Sequence, residues 1–132
     1  MLEICPPKTP EINMSYQSFE ELEVWKRACR LSVDIYKVLK DSKDFSFKNQ
    51  MQRAAISIAS NIAEGAERNS IREYIHFLHI AKGSAGELRT QIYIADKVKL
   101  IESEKRQKLC TELTEISKML QGLIKFLTAQ LD

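Results

Sequence analysis

The sequence predicts an all-α protein, an up-down-up-down antiparallel four-helix bundle. Three observations predict it. The chain has only four Gly and three Pro in 132 residues, and every Pro lies in the first ten, so the remainder lacks strong breakers. Apolar residues recur at three- and four-residue spacing in four successive stretches. The connections between these stretches are short, which makes consecutive helices antiparallel neighbours.

Residues 1–17 are polar, contain the prolines and show no period; they read as a flexible N-terminal tail before a bundle domain over 18–132. Ser18, three residues before Glu21 in "SFEE", forms a capping-box pattern that opens helix 1, at about 19–42. This helix carries Trp25, Cys29, Ser32, Tyr36 and Leu39 at core spacing. Helix 2, at about 47–64, repeats Phe47, Met51, Ala54, Ile58 and Ile62, with Gly65 expected as its left-handed cap. The same box recurs in "SIRE", Ser70 to Glu73, ahead of helix 3 at about 71–97, which repeats Tyr74, Phe77, Ala81, Leu88 and Ile92. Helix 4, at about 103–130, repeats Leu109, Leu113, Ile116, Leu120, Leu123 and Leu127.

Composition narrows the function classes. With 44% hydrophobic and 29% charged residues the chain is that of a folded soluble domain. Twenty Lys and Arg stand against 18 Asp and Glu, a balance that permits nucleic-acid binding without requiring it. Cys5, Cys29 and Cys110 form no C-x-x-C pair, so neither a disulfide framework nor a zinc site is expected, and a reducing, cytoplasmic setting fits. No apolar run approaches the roughly 20 residues that span a bilayer, and "MLEICPPKTP" lacks the apolar middle of a signal peptide; no membrane partner is expected.

Motifs that suggest chemistry do not assemble into a site. Glu73 and His76 have the Glu-x-x-His spacing of di-iron bundles, but the other histidine, His79, lies on the same helix, so no metal or other cofactor is expected. With both histidines in one stretch and the cysteines elsewhere, no nucleophile-base set can be built, and the chain reads as a non-enzyme. "GSAGE", Gly83 to Glu87, falls mid-helix without the ending of a phosphate loop. Its two glycines each cost about 1 kcal/mol in helix propensity, so a neighbour is expected to pack against them.

Four surface patterns remain. Lys26, Arg30, Lys37 and Lys40 share one side of helix 1, bordered by Glu23, Asp34 and Asp41, and fit a solvated salt-bridged face as well as a phosphate-binding strip. Lys97, Lys99, Lys105, Arg106 and Lys108 gather around the turn between helices 3 and 4 as a second basic cluster. The apolar residues of helix 1 cover about 200° of its wheel, against the roughly 100° that one core face needs. Val24, Leu31 and Val38 make a second seam there, and Met119 and Phe126 a weaker one on helix 4. These five are expected to face another subunit, the alternative being a helix buried on two sides. On helix 2, Gln50, Arg53, Ser57, Asn61 and Glu64 form a polar stripe between apolar flanks, either a solvated ridge or a buried seam. Short Ser and Asn favour the seam, with Arg53 and Glu64 pairing with each other or with Glu73 or Glu87 of helix 3.

The segments "FEELEVWKRACRLSVDIY", "NQMQRAAISIASNIAEGAER" and "YIHFLHIAKGSAGELRTQI" closely resemble the 23S rRNA intervening-sequence proteins, the S23 family, over about Phe19 to Leu127. The "SI-x-x-NIAEG" and "IA-x-GS-x-x-E" patterns carry the resemblance; Ala59, where many members have proline, and the extension before Met14 depart from it. The resemblance implies a cytoplasmic bacterial protein that assembles into a ring-like homopentamer, in a family with no established enzymatic activity. The accessory proteins of diversity-generating retroelements look similar in fold, and that analogy implies RNA or DNA, or a reverse transcriptase, as partners.

Overall fold

The computed structural model describes residues 18–131, so the expected tail over 1–17, with Cys5, lies outside the described residues. The architecture is all-α: a 3-10 turn at Phe19–Glu21, then α1 (Glu23–Val38), α2 (Phe45–Ala66), α3 (Ile71–Lys97) and α4 (Ser103–Thr128). The described residues contain no strand.

Side-chain chemistry at the caps accounts for most of the boundaries. The Ser18 hydroxyl accepts from the Glu20 amide at 3.2 Å. It therefore caps the 3-10 turn rather than α1, and the extended backbone of Leu22 (φ −75°, ψ 124°) separates the two. Asp44 accepts from the Phe47 amide at 3.1 Å and starts α2 two residues earlier than periodicity suggests. Ser70 accepts from the Glu73 amide at 3.2 Å, half of the expected box, while the Glu73 carboxylate turns to Arg68 instead.

Gly65 does not end α2 in a left-handed turn. Its φ is not positive and the helix continues to Ala66. What the position needs is room: a Cβ here would lie 2.9 Å from the Phe77 Cβ and 3.0 Å from Tyr74 Cδ1. The missing side chain lets α2 and α3 approach closely.

Contacts between α2 and α3 and between α3 and α4 run in opposite directions along the paired helices. Between α2 and α3, Ser57 meets Ser84 and Gly65 lies against Tyr74 and Phe77. Between α3 and α4, Lys82 meets Gln121, Arg89 meets Thr114 and Asp96 meets Arg106. Arg27 of α1 reaches Glu112 and Met119 of α4. The chain thus runs up, down, up and down, and the α1–α2 and α3–α4 turns share one end of the bundle.

The core corrects the expected orientation of helix 1. Val24, Ala28, Leu31 and Ile35 are buried, whereas Tyr36 is 46% exposed and Trp25, Cys29 and Ser32 are half-buried at the edge. The arc containing Val24 and Leu31 therefore faces the core, because it aligns with the buried rows Met51-Ile58-Ile62 of α2 and Leu113-Ile116-Leu120 of α4. Each fully buried aliphatic side chain in these rows contributes about 1.5–3 kcal/mol.

Candidate nucleic-acid interface

The shared end of the bundle collects basic side chains from both turns. Residues 37–48 and 96–108 carry nine Lys and Arg against five Asp and Glu. The segments at the opposite end, 18–27, 62–75 and 121–131, carry five against six. Lys37, Lys40, Lys97, Lys99, Lys105 and Lys108 are exposed at the basic end.

The strip expected along helix 1 does not hold together. Because α1 stops at Val38, Lys40 lies in the turn and not on the helix, and its carbonyl accepts from Lys48 Nζ at 3.3 Å. Lys26 lies toward the opposite end, and Arg30, at the middle of α1, pairs with Glu23 at 3.1 Å. Lys37 and Lys40 lie instead at the same end of the bundle as the α3–α4 cluster. Lys43 and Lys48, which helical-wheel reasoning did not single out, belong to the same end; the shortness of the α1–α2 turn was the available signal.

The α3–α4 corner has a specific geometry. Helix α3 ends with the Leu100 amide donating to the Ala95 carbonyl at 2.8 Å and the Lys99 amide to the Asp96 carbonyl at 3.1 Å, the two bonds of a Schellman turn. Lys99 occupies the left-handed position of that turn, φ 65°, where glycine is the usual residue. Asp96 then ties the helices together, accepting from Arg106 Nε at 2.9 Å and from the Ser103 hydroxyl at 2.8 Å. Those bonds, with Arg106 contributing most, hold the Asp96 carboxyl below the usual carboxylate range. Arg106 is thereby neutralised in place, and its guanidinium lies 5.4 Å from the centre of the Tyr93 ring. Tyr93 is 51% exposed and was not foreseen as part of the cluster, although it stands one turn before Lys97 on the same face. Beneath it, Cys110 is buried, and that burial pushes its thiol up in spite of nearby Arg106.

The polar stripe of α2 divides. Ser57 and Asn61 are half-buried, with the Ser57 and Ser84 hydroxyls 2.9 Å apart. Asn61 Nδ2 donates to the Ser57 carbonyl at 2.8 Å and to its hydroxyl at 2.9 Å. Gln50, Arg53 and Glu64 are exposed, and Glu64 pairs with Arg68 at 2.7 Å rather than with Arg53. Arg53 and Glu87 instead face an open groove of about 420 Å³ between α2 and α3, without forming an ion pair across it. The expected Arg53–Glu64 pairing fails because Arg68 is one helical turn from Glu64 and also reaches Glu73 at 3.2 Å.

The interface set is likewise reshaped. Val24 and Leu31 are buried within the chain and offer no surface to a subunit. Val38 and Met119 pack against the core at its edge, and Phe126 is 61% exposed. On the outer side of α3, Ile80 and Ile94 are exposed, and nothing lies within 4 Å of a Cβ built at Gly83 or Gly86. The expected neighbour for these glycines is absent within the described chain. His76 and His79 are exposed, and no group of three His, Cys, Asp or Glu comes together among the described residues. No described helix is long and apolar enough to cross a membrane.

The model of the family described as 23S rRNA-intervening sequence protein matches residues 20–122. A solved structure, a protein of unknown function from the S23 ribosomal protein family of Bacteroides thetaiotaomicron, superposes with a TM-score of 0.73 at 29% identity, covering 77% of this chain and 98% of that one. No curated protein matches the sequence.

Proposed function

The chain belongs to the 23S rRNA-intervening sequence protein family, and from that premise we propose that it is a non-catalytic scaffold that assembles with copies of itself and binds structured RNA or DNA through the lysine-rich end of the bundle. The observation that carries the reading is the convergence of both basic turns on one end. Phosphate contacts supply affinity in proportion to the cations brought within reach, and unpaired lysines on two adjacent turns provide that density where a single helix face does not.

Self-assembly has separate support in the outer side of α3. Two interior glycines with no neighbour in the chain cost helix stability of about 1 kcal/mol each, and a second copy packed there would offset it. The family resemblance points to a pentamer. Ring assembly would multiply the basic ends into one field.

Fluorescence anisotropy with a structured RNA hairpin, repeated over a range of salt, tests the binding. Combined Gln substitution of Lys97, Lys99, Lys105 and Lys108 should weaken it and flatten the salt dependence while helicity is retained. Binding that ignores both salt and these substitutions refutes the assignment. Light scattering after gel filtration tests assembly, and a mass of 15.2 kDa would rule it out.

A further inference from the structure

We infer that the α3–α4 corner takes an unpaired nucleotide, with a base stacked on the Tyr93 ring and the flanking phosphates held by Lys97 and Lys99. The inference rests on the nucleic-acid reading above and sharpens it from charge to a preferred substrate, single-stranded segments of RNA or DNA.

Three features of the corner lead there. The Tyr93 ring is half exposed, with the Arg106 guanidinium on one side at 5.4 Å from its centre. Arg106 cannot swing away freely, because Asp96 holds it at 2.9 Å and is itself held by Ser103. The ring is thus supported by a fixed cation and needs little ordering when a base arrives, which lowers the entropic cost of stacking. A flat aromatic surface beside cations suits a base with its face free, whereas the bases of a duplex are already stacked on each other.

The lysines are placed to follow the backbone of such a strand. Lys97 stands one helical turn beyond Tyr93, and Lys99 two residues further in the turn. Lys99 is exposed at the tip of the corner, in a left-handed conformation that an L residue adopts at a cost. Duplex nucleic acid could use the charges but not the ring. The discriminating contribution therefore belongs to Tyr93.

The test measures the full chain against a 20-nucleotide oligouridylate and an RNA duplex of the same length, by anisotropy at low salt. Tyr93→Ala should weaken oligouridylate binding by about 5- to 150-fold, the range set by one base-aromatic stack, and leave duplex binding unchanged. Tyr93→Phe should retain the single-strand affinity. Unchanged oligouridylate binding by Tyr93→Ala, or an equal loss on both probes, overturns the inference. The variant with Gln at Lys97, Lys99 and Lys105 separates the two claims. If it loses affinity for both probes while Tyr93→Ala loses neither, the electrostatic function stands and the stacking does not; if the unaltered chain binds neither probe, both fall. Circular dichroism of each variant confirms that the helices remain.

Discussion

Lys99→Gly should raise stability and lower nucleic-acid affinity at once. Lys99 has φ 65° at the end of α3, and its amide and that of Leu100 close the helix at 3.1 Å and 2.8 Å. A left-handed conformation costs an L residue about 1–2 kcal/mol, and glycine avoids this cost. Glycine also surrenders about 0.5–1 kcal/mol more backbone freedom on folding, so the net gain is about 0.5–1 kcal/mol. For a chain of this length, unfolding entropy near 2.1 cal/mol/K per residue converts that gain into a rise in Tm of about 2–4 °C. Removing one phosphate contact lowers the salt slope by about 0.7–0.9, which at 0.1 M salt is a loss of about five- to tenfold in affinity. Lys99→Gln should lose the affinity without gaining the stability. Calorimetry and salt-dependent anisotropy on the three proteins provide both readouts. A Tm for Lys99→Gly at or below that of the parent refutes the strain argument, and unchanged affinity refutes the role given to the charge.

Gly65→Ala should destabilise the fold by about 1–2 kcal/mol in urea unfolding, since the added Cβ meets Phe77 and Tyr74 at 2.9–3.0 Å, and this overpacking exceeds the gain in helix propensity. Gly83→Ala and Gly86→Ala have the opposite expectation: with nothing within 4 Å, each should stabilise the isolated protomer by about 1 kcal/mol. The same pair of changes should shift assembly toward smaller species in light scattering if a second copy packs on α3. The Asp96 latch gives a pH dependence. Its folded carboxyl lies below the ordinary value, so the stabilisation is complete above that ordinary value and is lost as pH falls through the folded one; acid unfolding of Asp96→Asn should lack this component. Arg53→Ala should leave stability within about 0.5 kcal/mol, because the side chain is exposed and makes no ion pair with Glu64, Glu73 or Glu87.

Helix existence and order were legible because three-four periodicity is a local property, as the correct placement of α3 and α4 to within two residues illustrates. Orientation about the helix axis was not. Helix 1 offers two adjoining apolar arcs of similar width, and only the positions of α2 and α4 decide that Val24, Leu31 and Ile35 face inward while Tyr36 does not. Gly65 was misread because the sequence marks a glycine without indicating whether it serves φ or proximity, and Phe77, which decides the matter, is on another helix. The candidate site suffered similarly. The α3–α4 lysines were visible as a run, but Lys99's backbone conformation, the Asp96–Arg106 bond and the addition of Lys37, Lys43 and Lys48 arise only when two turns meet.

The unequal ends of the bundle bear on how the molecule moves before it touches anything. In an antiparallel bundle the four helix macrodipoles oppose one another in pairs, so little axial polarity comes from the backbone. The polarity that remains is set by side chains: nine cations against five anions in the segments at one end, five against six at the other. A rod charged in this way experiences a torque near a polyanion and rotates its lysine-rich end forward during diffusion. Orientation would then precede contact, and association would be faster and more salt-sensitive than the overall charge of +2 suggests.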